Sequence, residues 1–161
     1  MIKAAILTIS DKGSRGERED KSGDVIKEKL HHLNAQVVAY EIVPDERDVI
    51  ARKLISLAEK ASLVLTTGGT GVSPRDVTPE ATRDVIEKEL PGFSEVMRLE
   101  GFKITPRAIG TRSVTGIYRN SLIINLPGSP KGVSECLGAV LKAIPHTLDL
   151  IKGKVDECGR Q

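Results

Sequence analysis

The sequence predicts an α/β fold, a mostly parallel central sheet with helices packed on both faces. Three observations lead there. Short apolar runs such as Ile2–Ile9 and Ser121–Leu126 read as buried strands. Between them lie segments with apolar residues at a 3.6-residue period, the spacing of one helix face. Glycine and proline gather where strands end and helices begin, and strands that alternate with helices favour parallel pairing.

The elements follow in order. Ile2–Ile9 is the first strand, apolar enough to be central, and Ser10-Asp11 ends it. Residues 12–23 are charged and aperiodic, which predicts a long mobile loop, functional or disordered. Val25, Ile26, Leu30 and Leu33 predict a helix over residues 24–33. His31 and His32 are sequence neighbours, cannot share a helix face, and so do not form a metal pair. Residues 36–43 form the second strand. A helix over 46–60 follows, with Asp45 as its N-cap and Asp48 completing a capping box. Leu63-Val64-Leu65 opens the third strand, which breaks at Thr66-Thr67. A helix beginning at Pro79, with Thr78 as N-cap, carries a stripe through Ala81, Val85, Ile86 and Leu90. Pro91-Gly92 breaks it, and another helix covers 93–101. Residues 102–119 fit either two short strands or a loop. Ser121–Leu126 is a fourth strand. The last helical stretch runs from Pro130, capped by Ser129, and restarts at Pro145. Residues 152–161 read as a flexible tail. One domain accounts for all 161 residues, since no repeat or low-complexity linker divides them.

Composition excludes several functions. With 24 basic against 22 acidic residues the net charge is +2, giving no electrostatic case for nucleic acid or an anionic membrane. Two Tyr, two Phe and no Trp leave little for base stacking. No apolar run approaches the roughly 20 residues that span a bilayer. The N-terminus lacks a signal-peptide layout. Cys136 and Cys158 have no metal or redox spacing, and Cys136 falls on a buried helix face. A cytoplasmic protein is the expectation.

The chemistry concentrates in two strand–loop–helix junctions, TTGGTGVSPRDVTPEAT and NLPGSPKGVSE. Gly68, Gly69 and Gly71 let the backbone approach a ligand closely. Glycine loops at helix N-termini build phosphate sites. Neither junction is a P-loop, and the dinucleotide pattern GxGxxG that starts at Gly69 meets Pro74 at its third glycine. The nucleophile elbow GxSxG is absent, and no histidine or cysteine constellation supports a triad or zinc. Lys131 sits in a first helical turn, where the helix dipole disfavours a cation. A bound anion would reverse that, and an outward, solvated lysine is the alternative. Asp11, Asp45 and Asp76 lie at strand ends or beside the glycine loop, where ligands gather in open α/β sheets. Together they would hold Mg²⁺ on a triphosphate, since Mg²⁺ takes one or two carboxylates plus phosphate oxygens. The competing roles are structural: a loop cap for Asp11, an N-cap for Asp45, a turn cap for Asp76.

TTGGTGVSPRDVTPEAT closely resembles the signature of the molybdenum-cofactor biosynthesis family that includes the MoaB/Mog proteins and the G domain of gephyrin. LIINLPGSPKG resembles that family's second loop, and the likeness extends to the SD turn and the VPDE segment. The resemblance implies a three-layer α/β/α fold, usually trimeric. It also implies Mg-ATP-dependent adenylylation of molybdopterin, giving pyrophosphate and a product passed to the enzyme that inserts molybdate. Carried over by position, Asp76 and Asp45 are the catalytic and metal-binding pair. Gly68, Gly69, Thr70, Gly71 and Thr78 form the first binding loop, and Asn125, Pro127, Gly128, Ser129, Pro130 and Lys131 the second. Asp11 matches the SD turn. Arg112 and Gly116 fit the pattern, but Tyr118-Arg119-Asn120 departs from it, so no site is carried over from 111–120. A pterin carrier or oligomeric scaffold without catalysis is the alternative reading. A generic nucleotide-dependent enzyme is a third.

Overall fold

The computed structural model describes residues 1–154. The expected tail over 152–161 lies outside the described residues from 155 on, as does Cys158. Lys152, Gly153 and Lys154 continue the preceding helix's hydrogen bonding, through the carbonyls of Leu148, Leu150 and Asp149.

Among the described residues, six strands form one sheet: β1 (Ile2–Ile9), β2 (Ala35–Val43), β3 (Leu63–Thr67), β4 (Lys88–Glu89), β5 (Thr115–Tyr118) and β6 (Ser121–Leu126), in the order β2-β1-β3-β6-β5-β4. The first four in that order run parallel. β5 is antiparallel to β6, and β4 to β5. Among the described residues, seven helices surround the sheet: α1 (Asp11–Ser14), α2 (Lys21–His31), α3 (Arg47–Ala58), α4 (Thr78–Arg83), α5 (Pro91–Ile104), α6 (Pro130–Val140) and α7 (Ile144–Ile151). Residues 106–110 and 141–143 form single 3₁₀ turns.

Alternation along the central strands makes two cores. Ala4, Ile6, Leu63, Leu65, Leu122, Ile124 and Leu126 face one side, where Ile26 and Leu30 of α2, Met97 of α5, Leu137 of α6 and Leu148 of α7 cover them. Ala5, Leu7, Ile9, Val64 and Ile123 face the other, against Ile50, Leu54 and Leu57 of α3 and Ala81 of α4. Each fully buried Leu or Ile contributes about 1.5–3 kcal/mol. The predicted three layers are therefore present.

The structure corrects several boundaries. Half of the expected loop over 12–23 is helical, at 12–14 and 21–23, with an irregular link between. Ser10 accepts from the Gly13 amide to start α1, and Asp20 accepts from the Gly23 amide to start α2 at Lys21. β3 continues through Thr66 and Thr67, which pair with Asn125 and Leu126. The helix expected to carry Val85, Ile86 and Leu90 ends at Arg83. Pairing with β5 wins there, as the Glu87 and Leu90 amides donate to the Ile117 and Thr115 carbonyls. Gly116 permits this approach, because a Cβ there would lie 2.7 Å from the Lys88 carbonyl oxygen. Pro91 starts α5 instead of merely breaking a helix, as proline in a first turn can. Of the two short strands weighed for 102–119, one forms, as β5.

Candidate active site

Beyond the C-terminal ends of the parallel strands lies a cleft of about 810 Å³. Its position follows from the strand order. From β1 the chain crosses to β2 on one side, and the next crossover brings it back to β3 on the other, so a crevice opens between the ends of β1 and β3. Thr8, Ile9 and Ser10 line one wall and Thr67, Gly68 and Gly69 the next. Gly13, Asp45, the segment 18–22 and the loop Gly128-Ser129-Pro130 complete it.

The two loops foreseen as binding elements meet there. A Cβ on Gly128 would stand 3.4 Å from the Gly68 Cα. Thr67 donates to the Pro127 carbonyl at 2.7 Å, and Ser22 of α2 donates to the Gly128 carbonyl at 2.7 Å. Gly68 has φ +98° and Gly69 φ +68°, conformations that side chains disfavour. A Cβ on Gly68 would overlap the Ile9 carbonyl oxygen, and one on Gly69 the Thr78 hydroxyl.

Thr78 is fully buried and is the first residue of α4, with Val77 at the N-cap position and no side-chain cap bond. Its hydroxyl instead donates to the Gly68 carbonyl at 2.9 Å, and its amide to the Gly69 carbonyl at 3.1 Å. Because a peptide is planar and trans, the following N–H groups, those of Gly69 and Thr70, point away from Thr78. Neither the Gly69 nor the Gly128 amide donates to another of the described residues.

The aspartates form a linked set. Asp45 does not cap α3, whose N-cap position is Glu46 with no side-chain bond. Its carboxylate accepts from the Asp11 amide at 2.9 Å, while the Asp11 carboxylate accepts from the Asp45 amide at 3.0 Å. This reciprocal pair joins the ends of β1 and β2 and replaces the predicted capping box. Arg75 grips Asp11 with two nitrogens, at 3.0 and 2.9 Å. That hydrogen bonding, with the Asp45 amide second, holds the Asp11 carboxyl below its ordinary value. Burial pushes the Asp45 carboxyl above its ordinary value, as do the negative charges of Asp11 and Asp76, against the lowering bond from the Asp11 amide. Asp76 accepts from the Ser73 amide at 3.0 Å, closing the turn beside Gly71. Its predicted turn-capping role is thus real.

Among the described residues, no three Asp, Glu, His or Cys side chains converge as a metal cage. The set Asp11, Asp45 and Asp76 is therefore reduced to a pair, because Asp11 is committed to Arg75. Asp45 is repelled by the Asp76 charge and raised by burial, so a cation between them would offset both costs.

Other expected binding residues lie elsewhere. Asn125 is 0% exposed. Its amide nitrogen donates to the Thr66 and Thr82 hydroxyls and its oxygen accepts from the Val114 amide, so it braces the sheet behind the site. Thr70 is buried, its carbonyl accepting from the Arg112 amide. Lys131 points outward, its side chain 79% exposed and 3.9 Å from Glu135. The anion reading of Lys131 gives way to the solvated one.

Two groups escaped the sequence reading. Asp20, placed in a featureless charged loop, accepts from the Thr8 hydroxyl at 2.5 Å and from the Tyr40 hydroxyl. Arg112 lies in the segment 111–120, from which the resemblance carries over no site. It reaches the glycine loop from 41 positions away, donating through Nε to the Gly71 carbonyl at 2.8 Å. Its fit to the family pattern within 111–120 was the one signal that could have flagged it.

Comparison with known proteins agrees with this geometry. A family described as a probable molybdopterin binding domain matches residues 5–146. A molybdopterin adenylyltransferase of Helicobacter pylori is 51% identical over 156 residues, covering 94% of this chain and 89% of its own. An Escherichia coli protein of the same name is 37% identical, covering 94% and 86%. The crystal structure of the molybdopterin biosynthesis enzyme MoaB from Thermus thermophilus superposes with a TM-score of 0.90 at 51% identity, covering 96% of this chain and 98% of that one. With a cleft between two glycine loops at the crossover point of its sheet, and matched along nearly its whole length, the chain belongs to the molybdopterin-binding family.

Proposed function

We propose that the protein is a molybdopterin adenylyltransferase that uses ATP and Mg²⁺. One observation carries the reading: the Gly68 carbonyl is tied back to the Thr78 hydroxyl, which turns the Gly69 amide that follows it away from Thr78, in a cleft wall shared with Asp45. Backbone donors held in this way stabilise phosphate charge without reorganising during the reaction. The close similarity to adenylyltransferases over nearly their full length supports ATP and molybdopterin as the substrates.

An oxygen of the terminal phosphate of molybdopterin attacks the α-phosphorus of ATP. A new P–O bond forms, the bond to the β-phosphate bridge breaks, and pyrophosphate leaves. A phosphate monoester is mostly dianionic near pH 7, its second pKa being about 6, so no strong general base is required. Among the described residues lining the cleft there is no histidine to act as one. Glycine-loop amides at Gly69 and Gly128 receive phosphate oxygens and orient them. Asp45 and Asp76 would hold Mg²⁺, which supplies charge neutralisation on the phosphates. Asp11 and Arg75 act indirectly by fixing the segment that carries Asp45.

The proposal extends to a cytoplasmic homotrimer that hands its product to a molybdate-inserting enzyme. Exposed apolar residues on α5, with Leu99 63% and Phe102 52% exposed, support self-association. No helix among the described residues is long and apolar enough to cross a membrane. Incubation with molybdopterin and Mg-ATP, followed by mass detection of the adenylylated product, tests the activity. Asp76→Asn should abolish product, and normal turnover by that variant would sink the mechanism. Calorimetry showing no Mg-dependent ATP binding would favour a carrier instead.

A further inference from the structure

The loop from Gly71 to Asp76 is exposed over Val72, Ser73, Pro74 and Arg75, yet it must present Asp76 at a fixed place. Its internal bonds are few: the Asp76 amide to the Ser73 carbonyl at 2.9 Å and the Ser73 amide to the Asp76 carboxylate. A single side chain bridges its two ends. Arg112 donates from Nε to the Gly71 carbonyl and from Nη2 to the Asp76 carbonyl, each at 2.8 Å. Its third nitrogen, Nη1, pairs with Glu80 in the first turn of α4, and its own amide holds the Thr70 carbonyl at 2.8 Å. One planar fork thus joins both ends of the loop to the helix behind it. Arginine alone among side chains has donors fixed in that spread.

We infer that Arg112 is a positioning residue: it sets where Asp76 stands by clamping the ends of the 71–76 loop to α4. The consequence for turnover rests on the adenylyltransferase reading, whereas the clamp itself does not. Glu80 makes the distinction from a plain stabilising role sharp. One of its carboxylate oxygens takes Arg112, and the other is buried and accepts nothing among the described residues. Removing Arg112 alone would strand a half-buried carboxylate, so any loss of activity would be confounded by loss of stability.

The test uses Arg112→Lys and the pair Arg112→Met with Glu80→Gln. Lysine keeps the charge beside Glu80 but cannot span both carbonyls. The double variant removes the stranded charge along with the clamp. We expect both to stay folded, the double variant melting above Arg112→Met alone. Turnover should fall on the order of 100-fold in both, as a displacement of about 1 Å can cause. The Mg²⁺ concentration for half-maximal rate should rise about tenfold, reading Asp76 directly. Hydrogen exchange of the Ser73 and Asp76 amides should quicken by at least about tenfold without substrate, while the β3 amides keep their protection. Turnover within twofold of wild type in the double variant, with unchanged exchange at 71–76, would overturn the inference. If the wild-type protein makes no product, the adenylyltransferase reading fails on its own, and the exchange data alone decide whether Arg112 clamps the loop.

Discussion

Asn125→Ala separates bracing from binding at the second loop. The residue was expected to contact ligand, yet it is wholly buried and makes three side-chain hydrogen bonds of 2.9–3.1 Å. Truncation leaves the Val114 amide, itself buried, without its side-chain acceptor, at a cost of about 1–3 kcal/mol. The bonds to Thr66 and Thr82 add roughly 0.5–1.5 kcal/mol each. The lower end applies to Thr82, whose hydroxyl already donates to the Thr78 carbonyl. A total near 3 kcal/mol would lower Tm by roughly 6–12 °C for a domain of this size. The assay is thermal unfolding followed by circular dichroism, paired with KM for Mg-ATP on the folded variant well below its Tm. We expect a large fall in Tm and a KM within about threefold of wild type, because the brace sits behind the cleft. A Tm unchanged to within about 2 °C, with a tenfold higher KM, would refute the placement of Asn125 as interior support.

Four further outcomes follow from the site. Gly68→Ala forces a side chain into φ +98° against the Ile9 carbonyl; strain of about 1–2 kcal/mol plus a displaced strand end should lower Tm and remove nearly all adenylylation. Thr78→Val keeps the shape but frees the Gly68 carbonyl, so kcat should drop on the order of tenfold or more, with stability reduced by about 1–2 kcal/mol in urea titration. Asp45 has a raised carboxyl, so the stability present below the ordinary carboxylate range is lost as pH rises through its folded value. Asp45→Asn should therefore gain Tm relative to metal-free wild type as pH rises from 4 towards 7 (roughly the window set by the ordinary carboxylate value), while losing activity. Asp11 is lowered, so its contribution is present above the ordinary range and lost as pH falls. Asp11→Asn should accordingly lose Tm near neutrality but match wild type in acid, and parallel Tm–pH curves for variant and wild type would refute the Arg75 pairing.

The two glycine loops were readable because each needs local chemistry that few other sequences supply. Gly68-Gly69 must take positive φ, and Ser129-Pro130 must start a helix, and both appear as such in the string. What the string hid were partners distant along the chain. The spacing of Asp45 and Asp48 fits a capping box, and a local reading chooses it. The folded chain offers Asp45 a better donor, the amide of Asp11, 34 residues away. Helix α3 then starts without a side-chain cap, its apolar face holding it in place. The same competition ended the predicted helix at Arg83, where the Glu87 and Leu90 amides found strand partners on β5. Local propensity was legible in each case and was overruled by a bond to a distant partner.

This pattern also explains the division of labour within the site. The groups facing the cleft from the first loop are mostly backbone, at Gly68 and Gly69, and they need glycine to be there. Behind them Thr78 ties back the Gly68 carbonyl, Arg112 holds the Gly71 carbonyl and Asn125 braces the Thr66 and Thr82 hydroxyls. Thr78 and Asn125 look like ligand contacts in sequence, because they sit in the two motifs, whereas Arg112 lies outside both. Their mutational signatures differ. Loss of a donor that touches phosphate should raise the barrier to transfer and leave stability nearly intact. Loss of a brace should lower stability and turnover together, unless, as for the pair Arg112 and Glu80, the stranded partner is removed with it. Measuring Tm beside kcat for each variant therefore assigns every residue of the two motifs to one side of the loop or the other.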